Sequence, residues 1–163
     1  MMSGRTKVMK RRILVHTAIL LILICPLGLA DACAQSCEKI VQTLNARLLP
    51  AIDEQELVGI LHHLNNTGNK KLPAKFLTKQ EARSRGWKPG KDLWSISGLK
   101  GMSIGGDRFG NLERRLPHRK WREADLDYQG GRRGGKRLVF SRDGERWVTI
   151  DHYQTFTEVP SCR

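Results

Sequence analysis

Glu123 and His152 are the residues whose types suit acid–base work on a phosphodiester, a carboxylate to take a proton and an imidazole to give one. Lys79, Arg133 and Arg137 would supply the cations. They would hold the phosphate and stabilise the charge that builds as the pentacovalent state forms. Such a group works only if Glu123, Arg137 and the strand ends converge on one face. The residues alone leave other readings open. Glu123 could equally be a surface ion-pair partner of Arg137, and His152 an ordinary loop histidine that titrates near physiological pH.

The elements that must position these groups are helices first and strands later. Cys37 to Leu49 puts Ile40, Val41, Leu44, Leu48 and Leu49 on one helical stripe that Pro50 ends. Asp53 reads as the N-cap of a second helix with Glu56 as its capping-box partner, and Leu57, Ile60, Leu61 and Leu64 form its apolar face. A second capping box, Thr78 to Glu81, opens a short helix that Gly86 closes. Trp87 to Gly106 shows no period and reads as turns and loop. Strands follow at Trp121 to Tyr128, Arg137 to Ser141, Arg146 to Asp151 and Tyr153 to Thr157. The expected fold is a single α+β domain, with N-terminal helices packed on one face of a twisted antiparallel β-sheet. The other face, rich in charge, would lie open.

The chain has 163 residues and a net charge of +13. That length leaves no room for a barrel enzyme or a two-domain dehydrogenase. The charge suits a polyanionic partner or an anionic surface, and its bland explanation is solubility. Residues 1–34 have the layout of a secretory signal peptide, with Lys7, Lys10, Arg11 and Arg12 before an apolar run and Ala32-Cys33-Ala34 at the end. The expected product is a secreted domain of residues 35–163, extracellular or periplasmic, with 24 basic and 15 acidic residues. Cys37 and Cys162 remain in it, and an even pair in an exported protein reads as a disulfide.

Three motifs carry less than they suggest. Gly130 to Lys136 reads G-x-x-x-x-G-K, but Arg137 stands where Ser or Thr should hold magnesium, and a strand follows where a helix should start. Asn65-Asn66-Thr67 matches a glycosylation sequon. His62 and His63 are adjacent on a helix, point in different directions and do not share a metal.

Four stretches resemble the barnase type of secreted bacterial guanyl-preferring ribonucleases. They are Leu77-Thr78-Lys79 with Glu81-Ala82 and Gly86-Trp87; Ser103 to Asp107 with Phe109 and Asn111; Trp121 to Asp125; and Asp151 to Thr157. They come in the family's order, and the resemblance runs from about Leu72 to Val159. It implies RNA cleavage through a 2′,3′-cyclic phosphate that water then opens. Glu123 matches the general base, His152 the general acid, and Lys79, Arg133 and Arg137 the phosphate-binding cations. The loop Phe109, Gly110, Asn111, Leu112 and Glu113 matches the guanine-reading segment, with Glu113 as its carboxylate, and Tyr153 matches a residue lining the substrate site. Leu112 stands where the family pattern has an arginine, which implies weaker substrate binding or softened guanine preference. Arg108, Arg114 and Arg115 are the candidates to compensate.

The substrate's own 2′-hydroxyl would be the nucleophile, so neither metal nor cofactor is expected. RNA and an acidic barstar-like protein inhibitor are the implied partners. The mature form is expected to be a monomer without membrane association. A non-catalytic secreted RNA- or polyanion-binding protein of the same fold is the rival reading. It would not require Glu123 and His152 at their matched places.

Overall fold

A computed structural model describes residues 35–163 together with Met1, so the leader assigned to residues 1–34 lies, apart from Met1, outside the described residues. The element order is α1 (Cys37–Asn45), α2 (Glu54–Asn66), β1 (Phe76–Leu77), α3 (Lys79–Ser84), a 3-10 turn (Leu93–Ser95), β2 (Ser103–Phe109), β3 (Trp121–Asp125), β4 (Arg137–Ser141), β5 (Arg146–Thr149) and β6 (Thr157–Glu158). The strands form one sheet in sequence order, β1 to β6. All its pairings are antiparallel except the short parallel pairing of β1 with β2. This is the expected α+β fold.

α1 and α2 pack Ile40, Val41, Leu44, Leu57, Ile60, Leu61 and Leu64 against Leu138, Phe140 and Val148 of the sheet. The Cys37–Cys162 disulfide joins α1 to the C-terminal tail across a separation of 125 residues. Closing so long a loop is worth roughly 4–5 kcal/mol in the chain-entropy picture. A second cluster gathers Trp87, Leu93, Leu99, Ile104 and Tyr128. A third lies on the sheet face away from the helices and holds Leu116, Trp121 and Val139, with Phe109, Tyr153 and Phe156 against them.

Several local expectations change. α1 stops at Asn45, because the Asn45 side chain turns to bond the backbone N–H and C=O of Ile52 (3.0 and 2.8 Å). Leu49 therefore leaves the apolar stripe and is 92% exposed. Asp53 caps α2 through the Glu56 N–H (2.7 Å). Glu56 does not complete the box. Its carboxylate accepts from the Asp127 N–H (2.6 Å) and pairs with Lys75, while the Asp53 N–H goes to Asp127 Oδ1 (3.0 Å). The capping box at Thr78 is complete. The stretch read as turns and loop contains the start of β2, which the glycines at 105 and 106 disguise. Tyr153 to Thr157 is largely a turn, and strand geometry resumes at Thr157. The sequon falls in α2, where the Asn65 amide donates to the Cys162 carbonyl (2.9 Å) and its oxygen accepts from Arg146 (2.7 Å), so that side chain is engaged.

Candidate active site

The central carboxylate comes from the middle of β3. Glu123 lies between Asp107 of β2 and Val139 of β4 and is 5% exposed. One carboxylate oxygen accepts from Lys79 Nζ at 2.7 Å and the other from the Tyr153 hydroxyl at 2.6 Å. Burial, and then the hydrogen bond and charge of Glu123, push the Tyr153 hydroxyl well above its ordinary pKa. It therefore stays a donor across the useful pH range.

Lys79 is placed by local chain chemistry. Thr78 and Glu81 start α3, and the Lys79 N–H donates to Asp107 Oδ2 at 2.9 Å. Asp107 reaches that position because β2 is bulged between Gly105 and Asp107, with Gly106 at φ +94°. Gly105 has a different reason to be glycine. A Cβ there would sit 2.7 Å from Phe76 and 2.9 Å from Leu72. Asp107 thus anchors the start of α3.

Two positions along β3, Asp125 organises the guanidiniums. Arg133 makes a two-pronged contact with it (Nε 2.5 Å, Nη2 2.6 Å). Arg137 Nε lies 2.9 Å away on the same carboxylate, and its Nη1 donates to the Lys136 carbonyl at 2.6 Å. Burial opposes the charge on Arg133, but the Asp125 hydrogen bonds and charge outweigh it and raise its pKa. One carboxylate thus serves two guanidiniums, and the cleft keeps excess positive charge. Glu123 pairs with Lys79 and not with Arg137. The charged face is also less open than its alternation implies, since Glu123, Asp125 and Arg137 are all buried. Asp125 was not among the expected site residues. Its signal was available, two residues beyond Glu123 and therefore on the same side of the strand.

His152 sits on a strained turn. His152 and Tyr153 have φ of +55° and +69°, a left-handed pair that costs non-glycine residues energy. Asp151 holds the turn. Its Oδ1 accepts from the Thr149 hydroxyl (2.8 Å) and the Thr155 N–H (3.0 Å), and its Oδ2 from the Thr155 hydroxyl (2.7 Å). Thr149 Oγ1 accepts from the Tyr153 N–H (3.0 Å). Burial works against the Asp151 charge, but the hydrogen bonds from Thr155, Thr149 and Gln154 prevail and lower its pKa to about 2. Gly135 clears the space for the imidazole. Its carbonyl accepts from the His152 N–H, and a Cβ on it would lie 2.9 Å from His152 Nδ1.

Two cavities meet at His152 and Tyr153. One, of about 320 Å³, is lined by Lys79, Lys91, Arg132, Arg133 and Arg137 besides those two. The other, of about 210 Å³, is lined by Phe109 to Glu113, Arg115 and Phe156 as well. Tyr153 belongs to both by construction. Its hydroxyl reaches Glu123, and its ring stacks on Phe109 with centroids 5.0 Å apart. Asn111, at φ +44°, folds the second rim by bonding both the N–H and the C=O of Leu116 (3.1 and 2.7 Å). Leu112 points outward and is 93% exposed. Arg115 is the basic residue that enters this rim. Its Nε pairs with Glu113 at 2.5 Å and its Nη1 donates to the Gln154 carbonyl. Lys79, Arg133, Arg137, His152, Tyr153 and the segment Phe109 to Glu113 thus line two adjoining hollows, and the buried Glu123 lines neither but bonds Lys79 and Tyr153 in their walls.

A sheet that gathers the buried carboxylates of Glu123 and Asp125, one exposed histidine and surplus cations beside an aromatic-walled hollow marks a small α+β protein with a cationic cleft able to do acid–base chemistry. The chain belongs to the ribonuclease family, whose sequence profile matches residues 62–160, and within it to the barnase type of microbial ribonuclease. It is similar to ribonucleases of Bacillus intermedius and Bacillus pumilus, each 46% identical over 94 residues, with 55% of this chain and 57% of the relative aligned. A ribonuclease of Heyndrickxia coagulans is 45% identical over 94 residues, covering 55% of this chain and 84% of that protein. The aligned stretch thus spans little more than half the length of the two Bacillus relatives.

Proposed function

We propose that this protein is a secreted endoribonuclease that cuts single-stranded RNA after guanosine, by transphosphorylation to a 2′,3′-cyclic phosphate and subsequent hydrolysis. The observation that carries the reading is the buried Glu123 carboxylate, held by Lys79 and Tyr153 in a cationic cleft that adjoins the Phe109–Glu113 hollow. The base sits in the hollow and its 3′-phosphate in the cleft. Glu123 takes the proton from the ribose 2′-hydroxyl as that oxygen attacks phosphorus. His152, protonated and solvent-exposed, gives its proton to the departing 5′-oxygen. In the second step His152 takes a proton from water, the water oxygen attacks the cyclic phosphate, and Glu123 returns a proton to the 2′-oxygen. Lys79, Arg133 and Arg137 bear the charge that builds on the phosphoryl oxygens. The nucleophile belongs to the substrate, so DNA, which lacks it, is not cut and no metal or cofactor is required.

Guanine selection rests on backbone N–H groups of the loop at 109–113 and on Glu113. That carboxylate would accept from the base N1–H and N2–H₂. Secretion is supported by the basic and apolar leader pattern and by the disulfide, which suits an oxidising compartment. A monomer that meets RNA and an acidic inhibitor of the barstar kind completes the reading, the inhibitor docking on the same cations.

GpU and ApU, offered to the purified protein with excess EDTA, test this directly. Cyclic GMP from GpU, much less product from ApU, and a loss of roughly 10²–10⁴-fold in each of Glu123→Ala and His152→Ala are expected. Equal cutting of the two dinucleotides would remove the guanine claim and keep the enzyme. RNA binding without any cyclic product would make the chain a non-catalytic binder.

A further inference from the structure

A third hollow, of about 450 Å³, is lined by Arg108, Lys120, Trp121, Arg122 and Arg142, four cations and no acid. It does not belong to the two-cavity site. Arg122 alternates with Trp121 and Glu123, and its strand partner on β4 is Phe140 of the helix-side core, so it lies on the sheet face away from Glu123. The strand register sets the charges against one another. Arg108 of β2 is directly opposite Arg122 of β3. Lys120 and Arg142 lie one residue beyond the Trp121–Ser141 pair on their strands. Like charges directly opposite on neighbouring strands destabilise a sheet. The nearby acids do not relieve them, because Asp143 and Glu145 are both taken by Arg119 (2.7 and 2.9 Å). Among the described residues none of the four cations has an ion-pair partner. A concave, uncompensated cationic site of this kind calls for a polyanion.

We propose that this hollow is a second phosphate-binding site, which takes single-stranded RNA outside the dinucleotide being cut. The inference rests on the ribonuclease reading for the identity of its ligand. β2 and β3 carry both sites. Phe109 walls the base hollow while Arg108, its neighbour, faces the cationic one, and Trp121 separates the buried cluster under Tyr153 from the same hollow. A strand leaving the base hollow around the segment 110–120 would meet these cations. Long RNA would thereby bind more tightly than a dinucleotide without any change at Glu123 or His152.

The test uses the full protein and the triple variant Arg108→Ala, Lys120→Ala, Arg142→Ala, all exposed positions; half-buried Arg122 is left in place. A second triple, Lys39→Ala, Lys71→Ala, Arg83→Ala, removes the same charge from exposed sites elsewhere. Binding of a long 2′-O-methyl RNA, which cannot be cut, is measured against salt. The first triple is expected to bind roughly tenfold more weakly, with a salt slope shallower by about 2, near 0.7 per lost phosphate contact. Its kcat/KM on GpU should equal wild type, and its kcat/KM on long RNA should fall. Unchanged RNA affinity, an equal loss in the second triple, or an equal loss on GpU would overturn the proposal. So would a variant that binds RNA normally but no longer binds phosphatidylglycerol vesicles, since the site would then serve a membrane surface. Failure of the wild type to cut GpU would sink the ribonuclease reading instead, and the 2′-O-methyl binding data would still decide this one.

Discussion

The cationic cleft and the aromatic-walled hollow, the proposed phosphate and base sites, share His152 and Tyr153 yet are built in opposite ways. The cleft hangs on strands. Glu123, Asp125 and Arg137 sit on β3 and β4, each 5% exposed or less, and each is held by charged partners. The proposed base hollow hangs on a loop whose candidate side chains, Leu112 and Glu113, are exposed. Its geometry depends on Asn111 folding back on Leu116 and on Arg115 bridging Glu113 to Gln154. On the proposed reading the difference teaches that the reacting phosphate would be met by over-determined, costly groups, whereas base choice would be left to cheap ones. Chemistry should therefore be brittle to substitution and specificity pliable.

Breaking the cleft should give the largest effect. Asp125→Ala leaves two guanidiniums without their shared counter-charge, and stripping one partner from a buried pair costs roughly 3–5 kcal/mol. The expected outcome is a large fall in Tm together with loss of activity. Equilibrium denaturation in urea checks it, and a loss under 1 kcal/mol would contradict the view that the cleft is over-determined. Gly135→Ala comes next and separates position from charge. The new Cβ would meet His152 Nδ1 at 2.9 Å and the His152 and Ile150 backbone at 3.2 Å, so the imidazole must move. A misplacement of that kind costs roughly 10²-fold in kcat. Stability should change far less than in Asp125→Ala, and a variant with wild-type kcat on GpU would show that the imidazole has slack.

Asp151 gives the cleft side a pH signature. Its folded pKa of about 2 lies below the ordinary value of 3.8, so its contribution is complete above about pH 4 and is lost as pH falls toward 2. The carboxylate is partly solvated, which holds its share of stability to the order of 1 kcal/mol. Asp151→Asn should lower Tm at neutral pH and flatten the fall of Tm between pH 4 and 2. It should also lower kcat by freeing the left-handed His152–Tyr153 turn. Parallel Tm curves for the two proteins would mean that other carboxylates govern that range.

The same contrast explains what the sequence made legible. α2 with its Asp53 cap, the Thr78 capping box and the strand Arg137–Ser141 were readable because local chemistry and periodicity agree there. Glu123 and His152 were readable as residue types, and family resemblance gave them roles. Their partners were harder to read. The choice of Lys79 over Arg137 for Glu123 depends on the bulge at Gly106, a tertiary fact that alternation does not encode. β2 was hidden because its first half is Ser-Ile-Gly-Gly, too poor in side chains to show a period. The turn at His152 looked like a strand because Tyr, Thr and Phe favour strands, while the hydrogen bonds of Asp151 override that preference.

The smallest effects belong to the base hollow, where Leu112 and Arg115 decide how pliable it is. Arg115 occupies the rim and fixes Glu113, while Leu112 offers an exposed apolar side chain where a cation would help. Arg115→Ala should release Glu113 and lower the GpU over ApU preference by up to roughly fivefold, the value of one ion pair at an exposed site being at most about 1 kcal/mol. Leu112→Arg should act in the opposite sense, lowering KM for GpU a few-fold and steepening the salt dependence of binding, with kcat unchanged because no group of the cleft is touched. KM and kcat must be measured separately. A rise in kcat would mean that position 112 reaches the reacting phosphate, and the division between rigid chemistry and pliable recognition would then fail at this residue. An unchanged KM with unchanged salt dependence would mean that Arg115 alone already supplies the cation this rim can use.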